Sequence, residues 1–230
     1  MNRKNIVVLT GAGISAESGI KTFRDSGGLW EEYDVMTVAS IEGWRQNPDL
    51  VQEFYNKRRK ELENAQPNNA HKILAKLEAR FNVDIITQNV DNLHERGGSS
   101  SVIHLHGELT MARSSVNPSL TCEIGYRAIT KGEKAEDGSI LRPHIVWFGE
   151  AVPMIEPAAQ KVSNADILVI TGTSMNVYPA AGLIEYARPD IPIYIIDPND
   201  VNYAGNRKII FIKEKASSGM KRLYEILTVE

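Results

Sequence analysis

The chain has 230 residues, with 26 Lys and Arg against 29 Asp and Glu and a formal net charge of −3. That balance argues against nucleic acid as the main partner, because a phosphate-binding surface leaves a strongly basic footprint. Hydrophobic residues at 42% and charged residues at 24% fit a soluble globular chain of one domain with room for a small insertion, and the single cysteine, Cys122, excludes both an internal disulfide and a zinc site built mainly of thiolates.

Arg3-Lys4 followed by the apolar run Ile6 to Leu9 faintly resembles a secretory leader, but the run is far shorter than the roughly 7–15 residues a leader needs. It reads instead as a strand buried on both faces of a parallel sheet. The strand runs into Gly11-Ala12-Gly13-Ile14-Ser15-Ala16-Glu17-Ser18-Gly19-Ile20. A glycine-rich strand-to-helix turn lets backbone amides approach a pyrophosphate. The third glycine comes later than in the standard dinucleotide fingerprint, so a purely structural tight turn is the alternative. The next segment, Phe23-Arg24-Asp25-Ser26-Gly27-Gly28-Leu29-Trp30, joins an aromatic and a cation to a flexible Gly-Gly pair and is suited to closing over a dinucleotide.

Asp49 to Leu62 has a helical stripe of Leu50, Phe54 and Leu62. Tyr55 and Arg58 are three apart and share a face of that helix. A phenol beside a guanidinium suits a carboxylate, although an exposed helix surface is the plainer reading. A second helix is predicted over Ala70 to Ala79. The strand Val83 to Thr87 leads into Gln88-Asn89-Val90-Asp91-Asn92-Leu93-His94, which has more polar side chains than helix capping requires and so points to ligand contacts. In Ile103-His104-Leu105-His106-Gly107-Glu108, a strand would place both histidines on one face. A third metal ligand at convincing spacing is missing, and His106, at the strand end, suits a general base, although a structural histidine is the plainer reading of a lone His.

Residues 113–140 lack periodicity and read as a small inserted lobe or a mobile loop. Arg142 to Glu150 is extended, with Pro143 suiting an edge; it could pair with a peptide through main-chain bonds or be a buried strand. Ile167 to Ile170 is a strand ending in Thr171-Gly172-Thr173-Ser174. The uncharged stretch on to Ile184 is too polar and broken to span a bilayer, and a helix is predicted over Val177 to Ala187. The strand Ile191 to Ile196 ends in Asp197-Pro198-Asn199, and a last strand at Ile209 to Ile212 precedes a helix over Gly219 to Leu227. Strands alternating with helices predict an α/β fold, a Rossmann-like doubly wound parallel sheet whose ligand sites lie where the strands end. A cytoplasmic monomer with no membrane contact is expected.

Taken together, residues 11–30, 87–98, 104–109, 141–150 and 171–183 resemble, in order and over almost the whole chain, the motifs of the sirtuin family of NAD-dependent protein-lysine deacylases. The Tyr55-x-x-Arg58 pair resembles the signature of the branch that removes acidic acyl groups such as succinyl and malonyl.

The resemblance implies a single domain over 1–230, with a large lobe at roughly 1–30, 70–112 and 141–230 and a small one at roughly 31–69 and 113–140. It implies that Gly11, Ala12, Gly13, Ile14, Ser15, Ser18, Gly19 and Ile20 hold the NAD pyrophosphate, and that Phe23, Arg24 and Trp30 belong to the segment covering the nicotinamide riboside. Gln88, Asn89, Val90 and Asp91 are then expected to line the nicotinamide and ribose pocket, Asn89 and Asp91 with a part in catalysis and His106 as general base. Gly172, Thr173, Ser174, Asp197, Pro198, Asn199 and Ala216 are expected on the adenosine side. Val146, Trp147, Phe148 and Gly149 are expected to hold an extended acyl-lysine peptide, with Tyr55 and Arg58 reading an acidic acyl group.

Relatives usually carry two cysteine pairs that bind a structural zinc in the small lobe. Here Ser114 stands where a first cysteine is expected, so no zinc is expected, and Cys122 would be a relic or a plain buried thiol. The expected activity is removal of succinyl, malonyl and acetyl groups with release of nicotinamide and O-acyl-ADP-ribose. The alternatives are a protein ADP-ribosyltransferase and a non-catalytic NAD-binding module.

Overall fold

The computed structural model describes residues 3–21, 29–30, 33–173, 177–200 and 208–229. In chain order, β1 (Asn5–Thr10) is followed by two short 3-10 turns, by the ribbon β2 (Leu29–Trp30) and β3 (Tyr33–Asp34), and by the helices α1 (Val35–Val38), α2 (Ile41–Gln46), α3 (Pro48–Asn64) and α4 (Asn69–Leu77). Next come β4 (Asn82–Thr87), α5 (Leu93–Arg96), β5 (Val102–His104), β6 (Gly107–Ser114), β7 (Thr121–Glu123) and β8 (Leu141–Ile145). The chain then forms α6 (Ile155–Ser163), β9 (Ile167–Thr171), a 3-10 helix at Ala180–Tyr186, β10 (Ile193–Ile196), β11 (Ile209–Ile212) and α7 (Ala216–Thr228).

Six strands form one sheet in the order β11-β10-β9-β1-β4-β5, and every pair in it is parallel. β1 lies at the centre with its core residues Ile6 to Leu9 buried, as a strand covered on both faces must be. One face packs on α4 and α7 through Ile6, Val8, Leu74, Leu77, Met220 and Leu223. The other packs Val7, Leu9, Leu168 and Ile170 against α6 and the 3-10 helix. The strand order reverses at β1, between β9 and β4, so a crevice opens above the carboxyl ends of these three strands.

A second sheet, β7-β6-β8, is antiparallel. Much of the region between 113 and 140 that lacks periodicity is therefore a hairpin and its turns, with its own small core of Ala112, Ile124, Ile129 and Leu141. A third cluster joins α1, α2 and α3 to this sheet through Trp44, Phe54, Tyr55, Leu109 and Trp147. No helix among the described residues is long and apolar enough to cross a membrane.

Candidate functional site

The glycine-rich turn sits at the crevice because β1 ends there. Gly11 N–H donates to the Thr171 carbonyl at 3.2 Å, and Gly13 N–H donates to the Gly172 carbonyl at 2.8 Å. The two turns are in contact: a Cβ on Gly13 would lie 2.7 Å from Gly172 Cα, and Gly172, at φ +66°, leaves no room for one either. Both glycines are thus demanded by close approach of main chains. Gln88 Nε2 donates to Thr173 Oγ1 at 3.0 Å, so the three strand ends are stitched across the crevice.

Beneath this turn lies a buried polar knot. Ser15 Oγ donates to Asp91 Oδ2 at 2.9 Å and accepts from Asn89 Nδ2 at 3.1 Å. Asp91 Oδ1 also accepts from Leu93 N–H at 3.1 Å, at the start of α5. Burial pushes the Asp91 carboxyl up, against the lowering pull of the Leu93 amide and the Ser15 hydroxyl. Asn68, which caps α4, donates from Nδ2 to the Ile14 carbonyl at 2.7 Å and to Ser18 Oγ at 3.0 Å, fixing the turn from the helix side.

The two histidines do not share a strand face. β5 ends at His104, and the chain turns before His106. His104 Nδ1 faces the Asn89 carbonyl and its Nε2 lies 2.8 Å from Glu95 Oε1. Burial lowers its pKa, but the Glu95 hydrogen bond and the nearby Glu108 outweigh it and the net shift is upward. His106 Nδ1 lies 2.9 Å from the Gln88 carbonyl oxygen, and burial lowers its pKa. His106 lines the large cavity; His104 does not.

That cavity has a volume of about 990 Å³. It gathers the turn residues Gly11, Ala12, Gly13, Ser15, Ser18, Gly19 and Ile20, with Gln88 to Asp91, Gly172 and Thr173, Asp197 to Asn199, and Ala216. Ile14 is packed in the core behind them. Asp197 is buried and accepts from Asn199 N–H at 2.9 Å. Phe23, Arg24, Ser174 and the Trp30 side chain lie outside the described residues.

The same cavity reaches Tyr55, Arg58, Val146, Trp147, Phe148 and Gly149. Tyr55 and Arg58 are buried, so the plainer reading of their helix face as solvated surface is overturned. The Tyr55 hydroxyl accepts from Trp147 Nε1 at 3.0 Å, and burial raises its pKa. Arg142 stacks 3.4 Å from the centre of the Trp147 ring and forms an ion pair with Glu150 at 2.8 Å. Burial raises the Glu150 pKa, but Arg142, the Trp147 amide and Arg113 outweigh it and hold the carboxyl below its ordinary range.

The segment after β8 is not a free edge throughout. Val146 N–H donates to the His106 carbonyl, Phe148 N–H donates to the Ala39 carbonyl, and the Phe148 carbonyl accepts from Ile41 N–H. Trp147 N–H is taken by Glu150.

Ser114 stands away from the cavity and is buried. Its Oγ donates to Asp137 Oδ2 at 2.6 Å, lies 2.9 Å from Ser139 Oγ and accepts from the amides of Val116 and Asn117. Cys122 is exposed on β7, so the expectation of a buried thiol is corrected. Hydroxyls, one carboxylate and backbone amides do not fit zinc, which takes thiolate and imidazole ligands in structural sites. Among the described residues no group of three or more His, Cys, Asp or Glu is placed to hold a metal.

Sequence reasoning missed Asn68, whose capping spacing to His71 was a readable signal. It missed Glu61, which carries no motif and lies 3.0 Å from Arg58.

The Sir2 family model matches residues 11–179, the stretch that holds most of these groups. The chain belongs to the Sir2 family. It is 55% identical over 229 residues to an "NAD-dependent protein deacylase" of Bacteroides thetaiotaomicron, covering 97% of this chain and 98% of that one. It is 53% identical over 220 residues to a Helicobacter pylori protein of the same name, covering 96% of each. Its fold is similar to that of a "Sir2 homolog-NAD complex", with a TM-score of 0.86 and 38% identity over 98% of this chain and 90% of that one. A Sir2 structure in complex with 2′-O-acetyl-ADP-ribose and a deacetylated p53 peptide has a TM-score of 0.77 at 28% identity, covering 98% of this chain and 94% of that one.

Proposed function

We propose that the chain is an NAD-dependent protein-lysine deacylase that removes succinyl, malonyl and acetyl groups. The observation that carries the acidic preference is the buried Arg58 beside Tyr55 in the wall of the cavity that also holds His106. NAD dependence and protein deacylation rest on family membership and on the relatives' names. The bacterial relatives support a cytoplasmic location.

NAD is a consumed substrate here: when bound, it supplies a ribose carbon with nicotinamide as a good leaving group, to which the acyl-lysine oxygen is joined. An amide oxygen is a weak nucleophile, so alignment must contribute heavily, up to ~7–11 kcal/mol in favourable cases. The stitched turns at Gly11 to Ser15 and Gly172, in which the Gly11, Gly13, Ile14 and Ser15 amides all bond to neighbouring carbonyls, provide a rigid floor for a pyrophosphate. The Ser15–Asn89–Asp91 knot keeps the polar side chains at the end of β4 in place.

His106 is proposed as general base. With Nδ1–H held by the Gln88 carbonyl, the neutral ring keeps Nε2 as the nitrogen able to accept a proton from a ribose hydroxyl. That deprotonation would let the hydroxyl oxygen attack the acyl carbon; the lysine amine would leave with the proton His106 returns, and water would supply the remaining oxygen of O-acyl-ADP-ribose. The peptide is proposed to lie extended along residues 146–149, using main-chain groups that Ala39, Ile41 and His106 do not already occupy.

The test is one assay with acetyl-, succinyl- and malonyl-lysine peptides and NAD, read by mass spectrometry. Free lysine peptide with an equal amount of O-acyl-ADP-ribose is expected from all three. ADP-ribose attached to a protein target, with no deacylated peptide, would replace this reading by ADP-ribosyl transfer.

A further inference from the structure

Arg58 is not waiting with an empty hand. Its Nη1 lies 3.0 Å from Glu61 Oε2, one turn further along α3. The two ends of this pair are unequal: the Arg58 side chain is 5% exposed and that of Glu61 44% exposed. Both line the cavity that holds His106 and Trp147.

We propose that Glu61 is a specificity-determining residue, a resident carboxylate that occupies Arg58 until an acidic acyl group replaces it. The proposal rests on the reading of Arg58 as the acyl-carboxylate receptor. A buried guanidinium left without a counter-charge is costly, and a neutral acetyl group supplies none. Glu61 supplies a counter-charge in place, so an acetyl group enters while the cation stays paired. A succinyl or malonyl carboxylate brings its own charge and competes for the same nitrogens, in the bidentate manner a guanidinium favours. Glu61 is the partner able to leave, because its half-exposed side chain can turn to water. Arg58, packed in the wall, stays. One pocket thereby takes both neutral and acidic acyl groups, and Glu61 sets the ratio between them.

Glu61→Gln removes the competing charge while keeping length and shape. Steady-state kinetics on matched acetyl and succinyl peptides should show a lower KM for succinyl and a higher KM for acetyl, with each kcat unchanged. The ratio of succinyl to acetyl kcat/KM should rise on the order of 3–10-fold, the scale of a weak ion pair gained and lost. A merely structural role would lower both kcat values together and leave the ratio alone. Arg58→Met run in parallel separates two failures. If Arg58→Met moves the ratio and Glu61→Gln does not, or moves it toward acetyl, the role of Glu61 is overturned. If neither variant moves it, the carboxylate-receptor reading itself falls.

Discussion

His106 Nδ1 sits 2.9 Å from the carbonyl oxygen of Gln88. A carbonyl only accepts, so this contact selects the tautomer with the proton on Nδ1 and makes Nε2 the basic nitrogen. Replacing His106 with Gln should lower kcat for deacylation by about 10²–10⁴-fold, the usual worth of a positioned general base. Thermal unfolding of the variant should stay close to that of the parent chain. Retained turnover would remove His106 from the chemistry.

The same residue sets the acid limb of the rate profile. A general base works when deprotonated, so activity should rise with pH through the His106 pKa and level off above it. Burial lowers that pKa below the ordinary value of 6.5, so the rise in kcat/KM should be centred below 6.5, with a plateau by neutral pH. A limb centred above 6.5 would contradict the burial effect or assign the base to another group.

Arg58 should matter for one class of substrate. Hydrogen bonds to a charged group contribute about 1.5–3 kcal/mol, so Arg58→Met should cut kcat/KM for succinyl and malonyl peptides by roughly ten- to a hundred-fold. Deacetylation should fall much less. Equal losses on acetyl and succinyl peptides would sink the carboxylate role.

Two buried histidines that play no part in the proposed chemistry should govern acid stability. The His71 and His94 rings pack with centres 4.9 Å apart, and both are fully buried. Burial lowers the His71 pKa to about 4, and burial together with His71 and His104 lowers that of His94 well below 6.5. The unfolded chain takes up protons near pH 6.5 that the folded chain refuses, so stability is present above that pH and is lost as pH falls toward 4. For His71 alone the loss is roughly 3 kcal/mol across the window. Denaturant titrations at pH 7, 5.5 and 4 on the parent and on His71→Gln should show a shallower loss in the variant.

The strands of the main sheet were legible because strands buried on both faces leave continuous apolar runs, as Ile6 to Leu9 and Ile167 to Ile170 do. The polar clusters that follow them were legible as neighbours because strand ends on one edge of such a sheet converge, and one cavity gathers them. Three things were hidden. The small helices α1 and α2 are too short to show a period. The hairpin β6-β7 has an exposed β7 of three residues, with no apolar alternation to read. His104 and His106 diverge because β5 stops two residues short of His106, a detail set by the turn into Gly107, whose φ of +78° and close approach to the His144 carbonyl admit only glycine. Tyr55 and Arg58 were readable as a pair but not as buried, since burial there comes from Trp147 and the small sheet, far away in sequence.

Ser114 offers the last test, because it stands where a metal-binding relative would be expected to place a thiolate. One buried hydroxyl joins Asp137, Ser139 and the amides of Val116 and Asn117. Hydrogen bonds from Ser114 and Ser139 hold the exposed Asp137 carboxyl below its ordinary pKa. This network and the core of Ala112, Ile124, Ile129 and Leu141 tie the small sheet together. Two results should follow together. Ser114→Ala should destabilise the chain by about 1–3 kcal/mol, the cost of leaving buried partners unsatisfied, and should raise amide exchange at residues 114–141 before the main sheet opens. A strong chelator should leave the melting temperature of the parent chain unchanged, and metal analysis of the purified protein should find less than a tenth of an equivalent of zinc. A full equivalent of zinc, or a chelator-induced fall in melting temperature, would mean that the lobe is held by a metal and that the hydroxyl network is secondary.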